Sequence, residues 1–252
     1  MLDVFRKFGW LSAVCVLSAS IAIPVRGQNY DVNIRVAVQR QADLKPGKTS
    51  KVPLDASDIV VWLKPLEPGM RSEALDAAKG GKFQLVQHNK SFQPHVLAVP
   101  VGSVVDFPNR DPFFHNVFSL FDGKRFDLGL YEAGATNSVR FDRVGVSFLF
   151  CNIHPEMSAV VVAVDTPYYG TSDRKGNITL QNVPDGKYEL HVWYERSLPE
   201  DLKALTRNVV ISAPSTNLGL IKVPENPSFT TAHKNKYGQD YEPPPVPSYQ
   251  HP

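Results

Sequence analysis

Cys151-Asn152-Ile153-His154-Pro155-Glu156-Met157 sets a thiol, an imidazole and a thioether within seven residues, and the rest of the chain is read outward from there. Two residues separate Cys151 from His154 and two separate His154 from Met157, so one tight turn can aim all three side chains at a single point. Thiolate and thioether sulfur suit copper, and imidazole serves both of its oxidation states. A trigonal His2Cys set with a weak axial methionine is the donor set of one-electron copper centres. A second imidazole must come from elsewhere in the chain. His115, between Phe114 and Asn116, is the best placed, because Val104-Val105-Asp106-Phe107 before it and Val117-Phe118 after it have the composition of strands, which would hold its ring on a rigid support. His88 and His95 compete with it. His95, beside Val96 at the start of a strand-like run, reads as a packed or hydrogen-bonded structural residue. His88, before Asn89-Lys90, reads as exposed, an outer residue of the site or an additional ligand.

Each donor also has a plainer reading. A buried cysteine can be a small apolar residue, a methionine beside a strand can be core filler, and a histidine before proline can mark a turn. Neither core packing nor a turn requires all three at these offsets, so His115, Cys151, His154 and Met157 are expected as copper ligands. No residue is assigned to catalysis or to an organic cofactor.

The cysteine count supports this. Arg6 and Lys7 precede an apolar run from Phe8 to about Ile23, with Val25 and Gly27 small enough for cleavage before Gln28. Residues 1–27 therefore have the layout of a secretory signal. The run is short for a membrane span and stops at Pro24, so stable membrane insertion is not expected. Removing it takes away Cys15 and leaves Cys151 as the one cysteine. An unpaired thiol in an exported protein is open to oxidation, and coordination to a metal is a reason to keep one. Cleavage also removes three of the 27 basic residues and one of the 25 acidic ones, which leaves the two signs equal. Nothing in that balance points to nucleic acid.

From residue 28 onward short strands alternate with Gly, Pro, Asn and Asp. Asn33 to Val38 alternates, Ile59 to Leu63 is a buried-type run, and further strands are expected at 96–99, 104–107, 138–141, 146–150 and 159–164. Ser72 to Ala78 alone reads as helix. The fold class is all-β, with a sandwich as the leading architecture.

Within residues 82–165, the segments Asn89-Lys90-Ser91-Phe92-Gln93-Pro94, Val101-Gly102, Val105-Asp106-Phe107, Asn109, Asp111, His115-Asn116-Val117 and the Cys151–Met157 loop resemble the small blue-copper proteins, the cupredoxins of the plastocyanin and amicyanin type. The Cys, His and Met spacing is that of amicyanin. The resemblance implies a Greek-key β-sandwich and a copper held by the four residues named above, with the outer edge of His154 as the route for electrons. It also implies an Asn116 whose backbone donates to the cysteine sulfur and whose side chain ties the two ligand loops together. Ile153 departs from the pattern, which has proline before the loop histidine. A further N–H is then available to the sulfur, and outer donors of that kind tune the potential.

A second resemblance lies outside this unit. Gly176-Asn177-Ile178-Thr179-Leu180, Val183-Pro184-Asp185-Gly186 and Tyr188 to Trp193 are similar to the later half of a carboxypeptidase regulatory-like β-sandwich, whose early strands would be Val32 to Val38 and Ile59 to Leu63. The expected organisation is a signal at 1–27, the first strands of this sandwich in 28–81, the cupredoxin unit in 82–165, the rest of the sandwich in 166–223, and an extended or disordered tail in 224–252 rich in Pro, Asn, Tyr and Lys. The cupredoxin unit is then an insertion, or the two domains are consecutive.

The function expected from these residues is an exported, periplasmic or secreted, type 1 copper protein that passes single electrons to and from a redox partner such as a cytochrome or dehydrogenase. The alternative is a copper carrier or structural protein in which the accessory sandwich mediates interaction. The scarcity of methionine, three in the whole chain, argues against copper storage.

Overall fold

The computed structural model describes residues 28–40, 54–67, 75, 80–120, 123–230 and 232–241. The expected signal at 1–27 and nearly all of the expected helix at 72–78 lie outside these residues. In chain order the strands begin with β1 (Asn29–Gln39) and β2 (Val60–Pro65). There follow β3 (Phe83–Gln84), β4 (Val86–His88), β5 (Ser91–Gln93), β6 (Val96–Pro100), β7 (Val104–Pro108), β8 (His115–Ser119), β9 (Phe126–Tyr131), β10 (Thr136–Arg140), β11 (Gly145–Phe150) and β12 (Ser158–Val164). The chain continues through β13 (Tyr169–Thr171), β14 (Asn177–Pro184), β15 (Gly186–Trp193), a short helix α1 (Pro199–Leu205), β16 (Arg207–Ile211) and β17 (Asn217–Pro224). The architecture is all-β, as the sequence leads one to expect. No helix among the described residues is long and apolar enough to cross a membrane.

Four of the sheets stack in layers, and the alternation of side chains says in what order. In β1, Val32, Ile34 and Val36 are buried while Asp31, Asn33 and Arg35 are exposed, the period-two pattern of a sheet with one wet face. That face packs on Val61 and Leu63 of β2 and on Tyr188, Leu190 and Val192 of β15. The outer sheet is β14-β1-β17 and the next is β13-β2-β15-β16. The intervening residues of the second sheet, Val60, Trp62 and Trp193, face the other way, onto Val96, Ala98, Val160, Val162 and Val164. These belong to the third sheet, β6-β12-β11-β8-β9. Its far face carries Val117, Leu149, Ala159, Val161 and Ala163, which pack with Val105, Phe107 and Val139 of the fourth sheet, β10-β7-β3. Strand β12 thus has one face in each of two cores, which explains why Ala159 to Val164 is an unbroken apolar run rather than an alternating one. Its register against the neighbouring strand β6 is parallel, and against β11 it is antiparallel.

One expectation is corrected here. Ser72 to Ala78 is not the only helical segment, because α1 forms at 199–205 with Pro in its first turn and Glu200 and Asp201 at the positive end of the helix dipole. These are local starting signals that a seven-residue element does not spread into a long periodic pattern.

His95, at the entry to β6, joins the second and third sheets. Its Nε2 donates to Glu195 beyond β15 at 2.7 Å and its Nδ1 donates to the Ser158 carbonyl at 3.2 Å. Two acceptors on the two ring nitrogens suit the doubly protonated ring. The hydrogen bond to Glu195, followed by the charges of Glu195 and Asp58, raises the His95 pKa against the opposing effect of burial. Because the folded value is raised, the stabilisation is full below the unfolded value of about 6.5 and is lost as pH rises through the folded one. Substitution His95→Gln should therefore lower the denaturation midpoint more at about pH 6 than at about pH 9. An equal loss at both would remove the charged pair as the cause.

Candidate metal centre

Two pieces of the third sheet supply the centre. His115 opens β8, opposite Tyr131 of β9, and its side chain is fully buried. Cys151 follows the last residue of β11 and is also fully buried. The loop after it is closed by its own backbone: Cys151 N–H donates to the Met157 carbonyl and Met157 N–H to the His154 carbonyl, each at 3.1 Å. That double closure brings the ends of the seven-residue loop together, as the tight spacing requires, and returns the chain into β12. Met157 is buried with Cys151 in the core between the third and fourth sheets, while His154 is half-buried between exposed Ile153 and Pro155.

Three of the four expected donors form a compact triangle. Cys151 Sγ is 3.5 Å from His154 Nδ1 and 3.8 Å from His115 Nδ1, and the two ring nitrogens are 3.1 Å apart. For a first-row ion with bonds of about 2.0 Å to nitrogen and 2.3 Å to sulfur, a planar trigonal site needs about 3.5 Å between nitrogens and about 3.7 Å between sulfur and nitrogen. The triangle fits such an ion within a few tenths of an ångström. His115, Cys151 and His154 are also the one group of this kind among the described residues.

The protonation pattern favours the same reading. His115 Nε2–H donates to Asp111 Oδ2 at 2.8 Å, which fixes the tautomer and leaves the Nδ1 lone pair aimed at the other two donors. Burial, and then the neighbouring His115 and Lys90, hold the pKa of His154 below the ordinary histidine value, so its ring is neutral and able to bind an ion. Phe113 packs on both imidazoles, with centroids 5.2 Å from His115 and 5.6 Å from His154. Phe114 beside it is exposed.

The loop ahead of His115 is held by Asn109, whose side-chain amide donates to the Phe113 carbonyl at 2.8 Å and whose Oδ1 accepts the Asp111 N–H at 3.0 Å. The resemblance implies a task for Asn116 other than the one it has. Its amide donates to Asp127 and to the Gly129 carbonyl, tying β8 to β9 rather than one ligand loop to the other. The polar neighbours of the sulfur are the two rings, and no backbone N–H of Asn116 or Ile153 donates to it. His88 is exposed, with Nδ1 3.6 Å from Asp111 Oδ1, one step beyond His115. His95 and His191 lie away from the triangle, in contact with Glu195 and with Trp62 and Glu189 respectively.

The tail contributes residues that sequence reasoning missed. Tyr241 O–H donates to the Cys151 carbonyl at 2.7 Å, Lys236 N–H donates to Asn152 Oδ1 at 3.0 Å, and the His233 ring lies 4.1 Å from that of Phe150. Lys236 also pairs with Asp127 at 2.8 Å. Residues 232–241 carry no strand or helix, and Tyr241 and Lys236 within them rest against Cys151 and Asn152. Burial, then the Cys151 charge, pushes the Tyr241 phenol up to about 12, so it remains a donor. The available signal was two tyrosines and two lysines in a segment otherwise poor in apolar residues.

No family model matches the chain, and no curated protein matches it. Among solved structures, a purple cupredoxin from Nitrosopumilus maritimus aligns at 24% identity over 33% of this chain and 100% of its own, with a TM-score of 0.30. Amicyanin from Paracoccus versutus aligns at 18% identity over 34% of this chain and 83% of its own, with a TM-score of 0.31. A copper-containing nitrite reductase from Thermus scotoductus aligns at 20% identity over 50% of this chain but only 28% of its own, with a TM-score of 0.32. What the centre can do follows from its own donors.

Proposed function

We propose that this chain is an exported type 1 copper protein and a one-electron carrier, with His115, Cys151, His154 and Met157 as the side chains that would hold the ion. The observation that carries the reading is the triangle of 3.1, 3.5 and 3.8 Å, built from a thiol and an imidazole at the ends of neighbouring strands and a second imidazole on the loop between β11 and β12. A copper ion bound there supplies a Cu(II)/Cu(I) couple. The side chains do the rest: strands β8 and β11 fix His115 and Cys151, the loop closure fixes His154 and Met157, and Phe113 braces both rings. A donor set held this rigidly would change little between the two oxidation states, which favours transfer over catalysis. Electrons would pass at the half-buried His154, where exposed Phe114, Ile153 and Pro155 form an apolar rim suited to brief docking with a cytochrome or dehydrogenase.

The same proposal extends to organisation. Residues 28–81 and 166–223 form one sandwich of the carboxypeptidase regulatory-like kind, and 82–165 form a cupredoxin unit inserted in it. Support comes from core membership: the outer core draws on residues 32–63 and 168–223, and the core at the centre draws on 85–163.

Reconstitution with Cu(II) tests the function. The expected result is an intense visible charge-transfer band from thiolate to cupric ion, bleached by ascorbate and restored by ferricyanide, with reduced cytochrome re-bleaching it. A colourless protein that takes up Cu(I) alone would replace electron transfer with copper carriage.

A further inference from the structure

Asp111 stands out among the groups around the triangle because a buried carboxylate, 3% exposed, sits against the far side of a ligand histidine. Its partners come from two separate loops. Asn89 and Lys90 form the two-residue turn between β4 and β5, both at φ 52, and this left-handed pair turns successive N–H groups the same way. Asn89 N–H reaches Oδ1 at 2.6 Å and Lys90 N–H reaches Oδ2 at 2.9 Å. The carboxylate is thus gripped at both oxygens, and Oδ2 also takes the His115 Nε2–H at 2.8 Å. The Asn89, Lys90 and His115 N–H groups all point at its two oxygens, the arrangement an acceptor-only carboxylate takes rather than a neutral acid carrying its own proton. The acceptor for His115 is therefore a full negative charge rather than a neutral carbonyl.

A charged acceptor draws the Nε2 proton and makes Nδ1 a stronger electron donor, and the gain is larger toward a doubly charged ion than toward a singly charged one. We propose that Asp111 is a positioning residue that sets the potential of the centre, favouring the cupric form through His115. This rests on the electron-carrier reading above. The turn at Asn89-Lys90 is then part of the metal centre, since it neutralises the cost of burying the carboxylate without donating a proton to it.

The test is Asp111→Asn in the full chain, with Cu(II) and Cu(I) affinities measured separately and the potential measured at fixed pH. Asparagine keeps an acceptor oxygen for the turn and removes the charge. The Cu(II) affinity should fall about tenfold or more relative to Cu(I), within the range seen for groups that orient ligands. Tenfold in that ratio is an upward potential shift of about 59 mV for one electron. Both proteins should keep the visible band. Equal ratios in two coloured proteins overturn the role of Asp111 and leave the carrier reading standing, whereas a colourless wild type removes both. A second measurement needs no variant: in the reduced wild-type protein, the His115 Nε2 proton should resonate downfield of the His154 ring N–H and exchange more slowly. A His115 proton that is neither shifted nor protected also overturns the proposal.

Discussion

Cys151→Ser leaves a folded protein that no longer forms the intense visible band and no longer cycles between ascorbate and ferricyanide. The sulfur is fully buried and stands 3.5 and 3.8 Å from the two ring nitrogens, so it closes the triangle and nothing else among the described residues can replace it. A serine hydroxyl stays protonated where a thiol gives a thiolate, and oxygen lacks the softness that matches Cu(I). The copper affinity should fall by more than the ~10–100-fold typical of losing a group that merely orients a ligand. The fold should lose only about 1–2 kcal/mol, because a single buried atom is exchanged for a slightly smaller one with no change in the rest of the core. Denaturant titration of the copper-free protein and optical titration with Cu(II) separate the two effects. A serine variant that kept the charge-transfer band would place the colour, and the ligand set, elsewhere.

That outcome bears on what a sequence can disclose. The offsets of Cys151, His154 and Met157 are a local property, and the two backbone hydrogen bonds that close the loop are what those offsets permit. Strand positions were legible for the same reason: Asp31 to Val36 alternates because one face is wet, and Ala159 to Val164 does not because both faces are dry. Asp111 was readable only as part of a resemblance, since its role depends on two left-handed residues some twenty positions earlier whose N–H groups converge on it. Asn89 favours the left-handed region but Lys90 does not, so the turn carried only half of the usual signal of that conformation. Tyr241 and Lys236 escaped notice because polar residues in a proline-rich segment carry no periodicity, and their order comes from acceptors ninety and eighty-four residues away. Asn116 went to β9 instead of to the ligand loop because Asp127 and Gly129 offer it two acceptors across the ladder.

The layered packing leads to the largest expected effect on stability. Val162, 2% exposed, lies on the face of β12 that meets Val60 and the flanking Trp62 and Trp193 of the second sheet. Val162→Asp puts a carboxylate there with only apolar neighbours in that cluster, and an uncompensated buried charge costs about 3–5 kcal/mol. Out of a total of roughly 5–15 kcal/mol, that is enough to unfold a large fraction of the molecules under mild denaturant. Val162→Ala should cost less, about 1.5–3 kcal/mol, by losing two carbons and leaving a small void. The two readouts are at different places. Tryptophan fluorescence follows the layer between the second and third sheets, and the copper band follows the ligand loop. Because Ala159, Val161 and Ala163 on the opposite face of the same strand support the core that holds Cys151 and Met157, both signals should shift together to the same lower midpoint. If the tryptophan signal moved while the copper band kept the wild-type midpoint, the sheets would unfold independently, and strand β12 would not be the element through which the outer sandwich stabilises the metal centre.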